Sequence, residues 1–85
     1  MSHRRYEIQY GPSALADLDA LPAAARNQVL RKIQRLEQGL VGDVKRLRQG
    51  ESAYRLRMGN YRVLFDVEGR VILIRRIGDR KDIYD

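Results

Sequence analysis

The chain has 85 residues, room for one domain and not for a second. It has no cysteine, and its one histidine, His3, lies at the N-terminal end, so disulfides, thiolate metal sites and a cysteine nucleophile are excluded and a histidine base or metal site has little to be built from. Lys and Arg number 17 against 11 Asp and Glu, a net charge of +6, and the only lysines are Lys32, Lys45 and Lys81. Rigid guanidinium forks fit phosphate oxygens in pairs, so the composition suits a polyanionic partner, although a solvated basic surface would give the same count.

No apolar stretch approaches the ~20 residues that span a bilayer, and the N-terminus lacks the apolar core of a signal peptide. A cytoplasmic protein with no membrane partner and no metal is expected. Residues 1–85 are read as one domain, with 1–4 as a flexible tail.

From Arg5 to Tyr10 the residues alternate, with Tyr6, Ile8 and Tyr10 on one side, which predicts a half-buried strand. Gly11-Pro12 ends it, and Pro12 suits the first turn of a helix carrying Leu15, Leu18 and Leu21. Pro22 closes that helix and opens a second. There Val29, Ile33, Leu36 and Leu40 form one apolar stripe, with Arg26, Gln28, Arg31, Lys32, Arg35 and Gln38 around the rest of the turn. The stretch 41–52 reads as a polar loop carrying Lys45, Arg46 and Arg48. Three strands follow, at about 54–58, 61–67 and 70–77, separated by Gly59-Asn60 and Glu68-Gly69, two-residue links of the hairpin kind. The expected fold is α+β, in the order β-α-α-β-β-β. The last three strands are antiparallel, and a helical hairpin covers one face of the sheet.

Tight turns set the register. A Gly59-Asn60 turn puts Met58 opposite Tyr61, Arg57 opposite Arg62 and Leu56 opposite Val63. A Glu68-Gly69 turn puts Asp66 opposite Val71, Phe65 opposite Ile72 and Arg62 opposite Arg75. Opposed residues share a face. One face then collects Tyr54, Leu56, Met58, Tyr61, Val63, Phe65, Val67, Ile72 and Ile74, and is the core. The other collects Arg55, Arg57, Arg62 and Arg75 with Leu64 and Leu73. Stacked like charges destabilise a sheet, so this face points to an anionic ligand. Arginine stems lying over Leu64 and Leu73 with their heads in water are the bland alternative. The segment 78–85 brings Arg80 and Tyr84 to the end of the sheet. Ile83 is expected to tuck into the core, with Tyr84 either in the site or packed beside it.

The run Tyr54-Arg55-Leu56-Arg57-Met58-Gly59-Asn60-Tyr61-Arg62-Val63-Leu64-Phe65 resembles the central hairpin of the RelE/ParE toxin superfamily. Arg76-Ile77-Gly78-Asp79-Arg80-Lys81-Asp82-Ile83-Tyr84 resembles the ending of its RelE branch, and Arg46-Leu47-Arg48-Gln49-Gly50 its basic loop. The resemblance covers the whole chain. It implies the RelE-like fold and the toxin of a type II toxin–antitoxin system. Such a toxin is a ribosome-dependent endoribonuclease that cuts messenger RNA in the A site, needs no cofactor and is held by a cognate RelB-like antitoxin. It implies catalytic roles for Arg62, Arg80 and Tyr84, and RNA or phosphate contacts for Arg48, Arg55 and Arg57. The neighbouring Arg75, Lys45, Arg46 and Lys81 join the second group by position and charge. Asp79 stands where many relatives have histidine, which removes an imidazole acid–base step. Arg55 and Arg57 stand where some relatives have lysine.

In metal-free RNA cleavage the ribose 2′-hydroxyl attacks phosphorus. Arg62 suits stabilisation of the charge that builds there. Arginine is a poor base, which leaves Tyr84 as base or as the group orienting the hydroxyl, and Arg80 as donor to the leaving oxygen. Arg31, Lys32, Arg35, Lys45 and Arg46 are candidates for docking on ribosomal RNA, with plain solvation as the alternative. Two other functions fit the same pattern: a ParE-like toxin acting on DNA gyrase, and an RNA-binding module without turnover.

Overall fold

The computed structural model describes residues 5–40, 42–48 and 52–83. Strand β1 (Glu7–Tyr10) leads into helices α1 (Pro12–Ala20) and α2 (Ala23–Arg35) and a 3-10 turn at Leu36–Gln38. Four strands follow: β2 (Val44–Arg46), β3 (Tyr54–Met58), β4 (Tyr61–Glu68) and β5 (Val71–Asp79). The sheet order is β1-β5-β4-β3-β2, with β1 parallel to β5 and the other pairs antiparallel. The expected α+β fold is present with one strand more. Within the stretch expected to be loop, Val44, Lys45 and Arg46 pair with Leu56, Arg55 and Tyr54. Three residues are too few to show an alternation; the free edge of β3 makes the strand.

Pro12 occupies the first turn of α1, as its missing N–H allows. Arg26, expected on the solvated side of α2, instead closes the helical hairpin. Its Nε donates to Leu18 O at 2.9 Å, which also accepts from Leu21 N, and its Nη2 donates to Leu21 O at 3.0 Å, so one guanidinium ties the end of α1 to α2. The α2 stripe breaks one turn early, passing into the 3-10 turn at Leu36.

Val29, Ile33 and Leu36 join Ala14 and Leu18 over one face of the sheet, against Leu56, Val63, Phe65, Ile72, Ile74 and Ile77. Tyr54, Met58, Tyr61 and Val67 form the half-buried rim of that core, and Tyr54 stacks on Phe65 at 5.4 Å. Each large side chain fully buried contributes about 1.5–3 kcal/mol. The core face is therefore the expected one, extended by Ile77.

The β3–β4 register is the expected one, with Arg57 opposite Arg62. The β4–β5 register is not. Glu68 pairs with Val71, so the central turn residues are Gly69-Arg70; Phe65 lies opposite Ile74 and Arg62 opposite Gly78. Both hairpins put glycine first in the turn, Gly59 at φ 57° and Gly69 at φ 61°, as a type II′ turn demands. Glu68 in that position would need a backbone that an acidic side chain adopts only with strain. A slip of one residue in the turn moves the register by two, so the faces survive.

A bulge between Leu64 and Phe65 moves the register once more: Leu64 pairs with Arg76 and Phe65 with Ile74, leaving Arg75 outside the ladder between them. The bulge coincides with the end of β1. Beyond the β1–β5 pairing, Asp17 of α1 takes over the strand edge, accepting from Ile77 N at 2.8 Å and Arg76 Nε at 2.8 Å.

Candidate nucleic-acid interface

The face of the sheet opposite the helices collects Lys45 from β2, Arg55 and Arg57 from β3, and Arg62 from β4, since opposed residues share a face. Arg62 is at its centre. Only 9% of the residue is exposed, and its Nη1 donates to Gly59 O and Tyr61 O, both at 2.9 Å. The turn glycine that reverses the chain thus also holds the guanidinium. Burial first, then the charges of Arg55, Arg57 and Arg80, push the Arg62 pKa below the ordinary guanidinium range, while Asp43 pulls it back.

Arg80 lies in the turn that follows β5, where its N–H donates to Asn60 O at 2.7 Å across the β3–β4 turn. This bond continues the β4–β5 register by one residue beyond Tyr61–Asp79, which sets Arg80 diagonally across the ladder from Arg62. Arg57 is half exposed, and its Nε binds Asp43 Oδ2 at 2.5 Å. Asp43 is the site residue that sequence reasoning missed. Its only signal is an acidic residue just ahead of Lys45, Arg46 and Arg48.

Arg48 is exposed in the segment after β2. Arg46 lies opposite Tyr54 and so shares the helix-side face, apart from Lys45 and the arginines. Lys81 is exposed, with its backbone N–H on Asp79 Oδ1 at 2.9 Å. Arg75, expected opposite Arg62, is corrected by the turn and the bulge. It lies 3.6 Å from Asp66 Oδ2, while Asp66 Oδ1 accepts from Ala53 N. Tyr84 lies outside the described residues, as does the expected tail at 1–4.

On the other side of the β3–β4 turn, Arg31, Lys32 and Arg35 of α2 face Arg57 and Tyr61 across a groove of about 730 Å³. Among the described residues, the lining holds no carboxylate. The described residues therefore carry two basic surfaces that meet at Arg57. Among the described residues, no three His, Cys, Asp or Glu side chains converge as metal ligands, and no helix is long and apolar enough to cross a membrane.

A family model for the ParE toxin of the type II toxin–antitoxin system parDE matches residues 8–84. The chain belongs to the RelE/ParE toxin superfamily. Toxin RelE3 of Methanocaldococcus jannaschii is 30% identical to this toxin over 84 residues, covering 93% of this chain and 96% of the relative. Two solved complexes share its fold. The RelE chain of the RelB–RelE antitoxin–toxin complex from Methanococcus jannaschii superposes with a TM-score of 0.73 at 30% identity, over 89% of this toxin and 94% of that chain. The archaeal RelE–RelB complex from Pyrococcus horikoshii OT3 gives a TM-score of 0.76 at 28% identity, over 93% and 99%. The RelE-like fold and the RelE resemblance expected from the hairpin and the C-terminal run are both borne out.

Proposed function

We propose that this RelE-like toxin is an endoribonuclease that cuts messenger RNA in the ribosomal A site and is neutralised by a RelB-like antitoxin. The observation that carries the reading is the convergence of Arg55, Arg57 and Arg80 on a nearly buried Arg62. Such an arrangement opposes folding, because each cation raises the cost of the next. A phosphodiester bound there relieves the repulsion, and the fixed guanidinium meets it without reorganisation.

In the proposed reaction the 2′-hydroxyl oxygen bonds to phosphorus and the bond to the 5′-oxygen breaks. The products are a 2′,3′-cyclic phosphate and a free 5′-hydroxyl. Arg62 stabilises the added charge on the phosphoryl oxygens. Arg55 and Arg57 hold flanking phosphates, and Arg80 donates to the leaving oxygen. Tyr84 accepts the 2′-hydroxyl proton, or orients that hydroxyl while water takes the proton, and the leaving 5′-oxygen, hydrogen-bonded by Arg80, takes its proton from water. Lys45 and Arg48 extend the track for the strand, with Arg46, Lys81 and Arg75 as peripheral contacts. The charge neutralisation that a divalent ion would supply is here in guanidinium form, and the same cations repel such an ion.

A site of arginines with no imidazole among its described residues needs its substrate held ready, and the ribosome supplies that geometry. The groove of Arg31, Lys32 and Arg35 suits the backbone of ribosomal RNA. The similar toxins were solved as complexes with RelB, which supports an antitoxin of that kind covering the basic face. Mapping messenger RNA ends after brief induction tests the proposal, with Arg62→Ala as control. Cuts in phase with codons and lost in the variant are expected. Intact message with gyrase-dependent DNA breaks would assign the toxin to gyrase instead, and intact message with RNA binding alone would leave a binding module.

A further inference from the structure

Gly78 stands inside β5, where strands favour branched and aromatic side chains. Its backbone does not ask for glycine, since it has no positive φ, in contrast to Gly59 and Gly69. What it provides is space. A Cβ at this position would lie 3.0 Å from Ile83 Cγ1 and 3.3 Å from Ile83 Cδ1. Glycine within a strand marks such a close approach.

The place of that approach matters. Gly78 is the ladder partner of Arg62, so the open side of Gly78 faces the same way as the Arg62 side chain. Ile83 therefore sits on the arginine-bearing face. It is 5% exposed, yet it stands apart from the main core cluster beneath the helices. The chain reaches this seat through a tight turn built on Asp79. Its Oδ1 accepts from Lys81 N at 2.9 Å, and its backbone oxygen accepts from Asp82 N at 2.8 Å and Ile83 N at 3.1 Å. Arg80 lies within that turn, its own N–H bound to Asn60 O. The segment carrying Arg80 is thus held on one side by Asn60 and on the other by Ile83 in the Gly78 seat.

We infer that Gly78 and Ile83 form a latch that positions Arg80 and shields the flank of Arg62 from water. They are positioning residues, acting through the arginines. The latch itself is read from the packing; its use in RNA cleavage rests on the function proposed above. If Ile83 merely covered apolar surface, closing the seat from the strand side would cost nothing. A valine in place of Gly78 favours a strand and buries apolar area of its own.

The test uses the full-length toxin with Gly78→Val, Ile83→Ala and the exchange Gly78→Val/Ile83→Ala. Amide hydrogen exchange at Arg80, Asp82 and Ile83 is read beside cleavage of ribosome-bound message. In the two single variants, exchange at Arg80 should rise about tenfold or more, because local opening of the turn no longer requires lifting Ile83 from its seat. The turnover rate should fall by up to about 10²-fold, since small misplacements of a positioning group have that effect. KM should change little. In the exchange variant the new valine refills the seat and the shortened side chain opposite it no longer clashes, so protection and rate should both recover relative to either single variant. Unchanged Arg80 exchange in both single variants overturns the latch, as does an exchange variant no better than the worse single one. Should Gly78→Val fail to fold, Ile83→Ala and the milder Gly78→Ala read the same amide. If exchange follows the pattern and even the unaltered toxin leaves message intact, the cleavage reading falls and the latch stands.

Discussion

Arg57 and Asp43 are joined twice, by Nε to Oδ2 at 2.5 Å and by Arg57 N to Asp43 O at 2.9 Å. A carboxylate thus occupies one of the arginines proposed to hold RNA. Both side chains are about half exposed, 52% and 45%, so the ion pair contributes only ~0.2–1 kcal/mol and a phosphate can displace it. Asp43→Asn should bind a short single-stranded RNA up to about fivefold more tightly at low salt. Its affinity should also fall off more steeply as salt rises, because one more phosphate contact adds about 0.7 to the slope. Binding titrations at several salt concentrations check this. Equal affinity and slope would show that Asp43 does not compete for Arg57.

Arg62 should separate activity from stability. Arg62→Lys puts a point charge where two Nη1 hydrogen bonds and a planar fork stood, so cleavage of ribosome-bound message should drop by about 10²–10³. Arg62→Met keeps the buried stem and removes the charge that Arg55, Arg57 and Arg80 repel. It should be equally inactive yet melt no lower than the parent at low ionic strength. A Tm well below the parent would mean that the two carbonyl bonds outweigh the repulsion.

Asp17 should matter for stability and not directly for chemistry. Its carboxylate, 19% exposed, is the acceptor for both Ile77 N and Arg76 Nε. Asp17→Ala leaves a strand-edge N–H without that acceptor and should cost about 1–3 kcal/mol. In a domain of this size each kcal/mol lowers Tm by roughly 4–8 °C. Asp17→Asn keeps one oxygen acceptor and should lie between. Thermal melts of the three proteins decide the order.

Tyr10 should shape the alkaline limb of stability. Burial, and then the nearby charge of Glu37, raise its pKa above the ordinary phenol value. The folded state therefore holds the phenol proton more tightly than the unfolded chain does. That contribution is fully present below about pH 10 and is lost as pH rises through the folded value. Tyr10→Phe has no such proton to lose. Between about pH 9 and pH 11 its Tm should fall less than the parent's. Parallel Tm curves for the two proteins would overturn the assignment.

The two hairpins show how much is legible in advance. Gly59-Asn60 is legible because glycine stands first, where a type II′ turn needs positive φ, and the Arg57–Arg62 pairing follows from it. The same rule applied to Gly69-Arg70 places the second turn as well, but the neighbouring pair Glu68-Gly69 has the same length and competes with it. No local rule announces the bulge at Arg75. It arises where β1 ends and Asp17, 60 residues from Ile77 along the chain, takes over the edge of β5. For that reason Arg75, expected opposite Arg62, is found beside Asp66. Strand β2 is likewise invisible in the sequence, since its three residues are strand only by virtue of β3 beside them.

By itself the sequence determined the two helices and the strands β1, β3, β4 and β5, though not β2, together with the apolar face and the presence of Arg55, Arg57 and Arg62 on the opposite one. All of these follow from periods of about 2.0 and 3.6 residues and from one tight turn, which act over a few residues. Only the tertiary structure decided what surrounds Arg62: Gly78 instead of Arg75 across the ladder, Arg80 bonded to Asn60, Asp43 bound to Arg57, and Ile83 seated against Gly78. Each depends on segments that meet through packing, and the free energy of such meetings is carried by through-space contact, which local sequence does not encode.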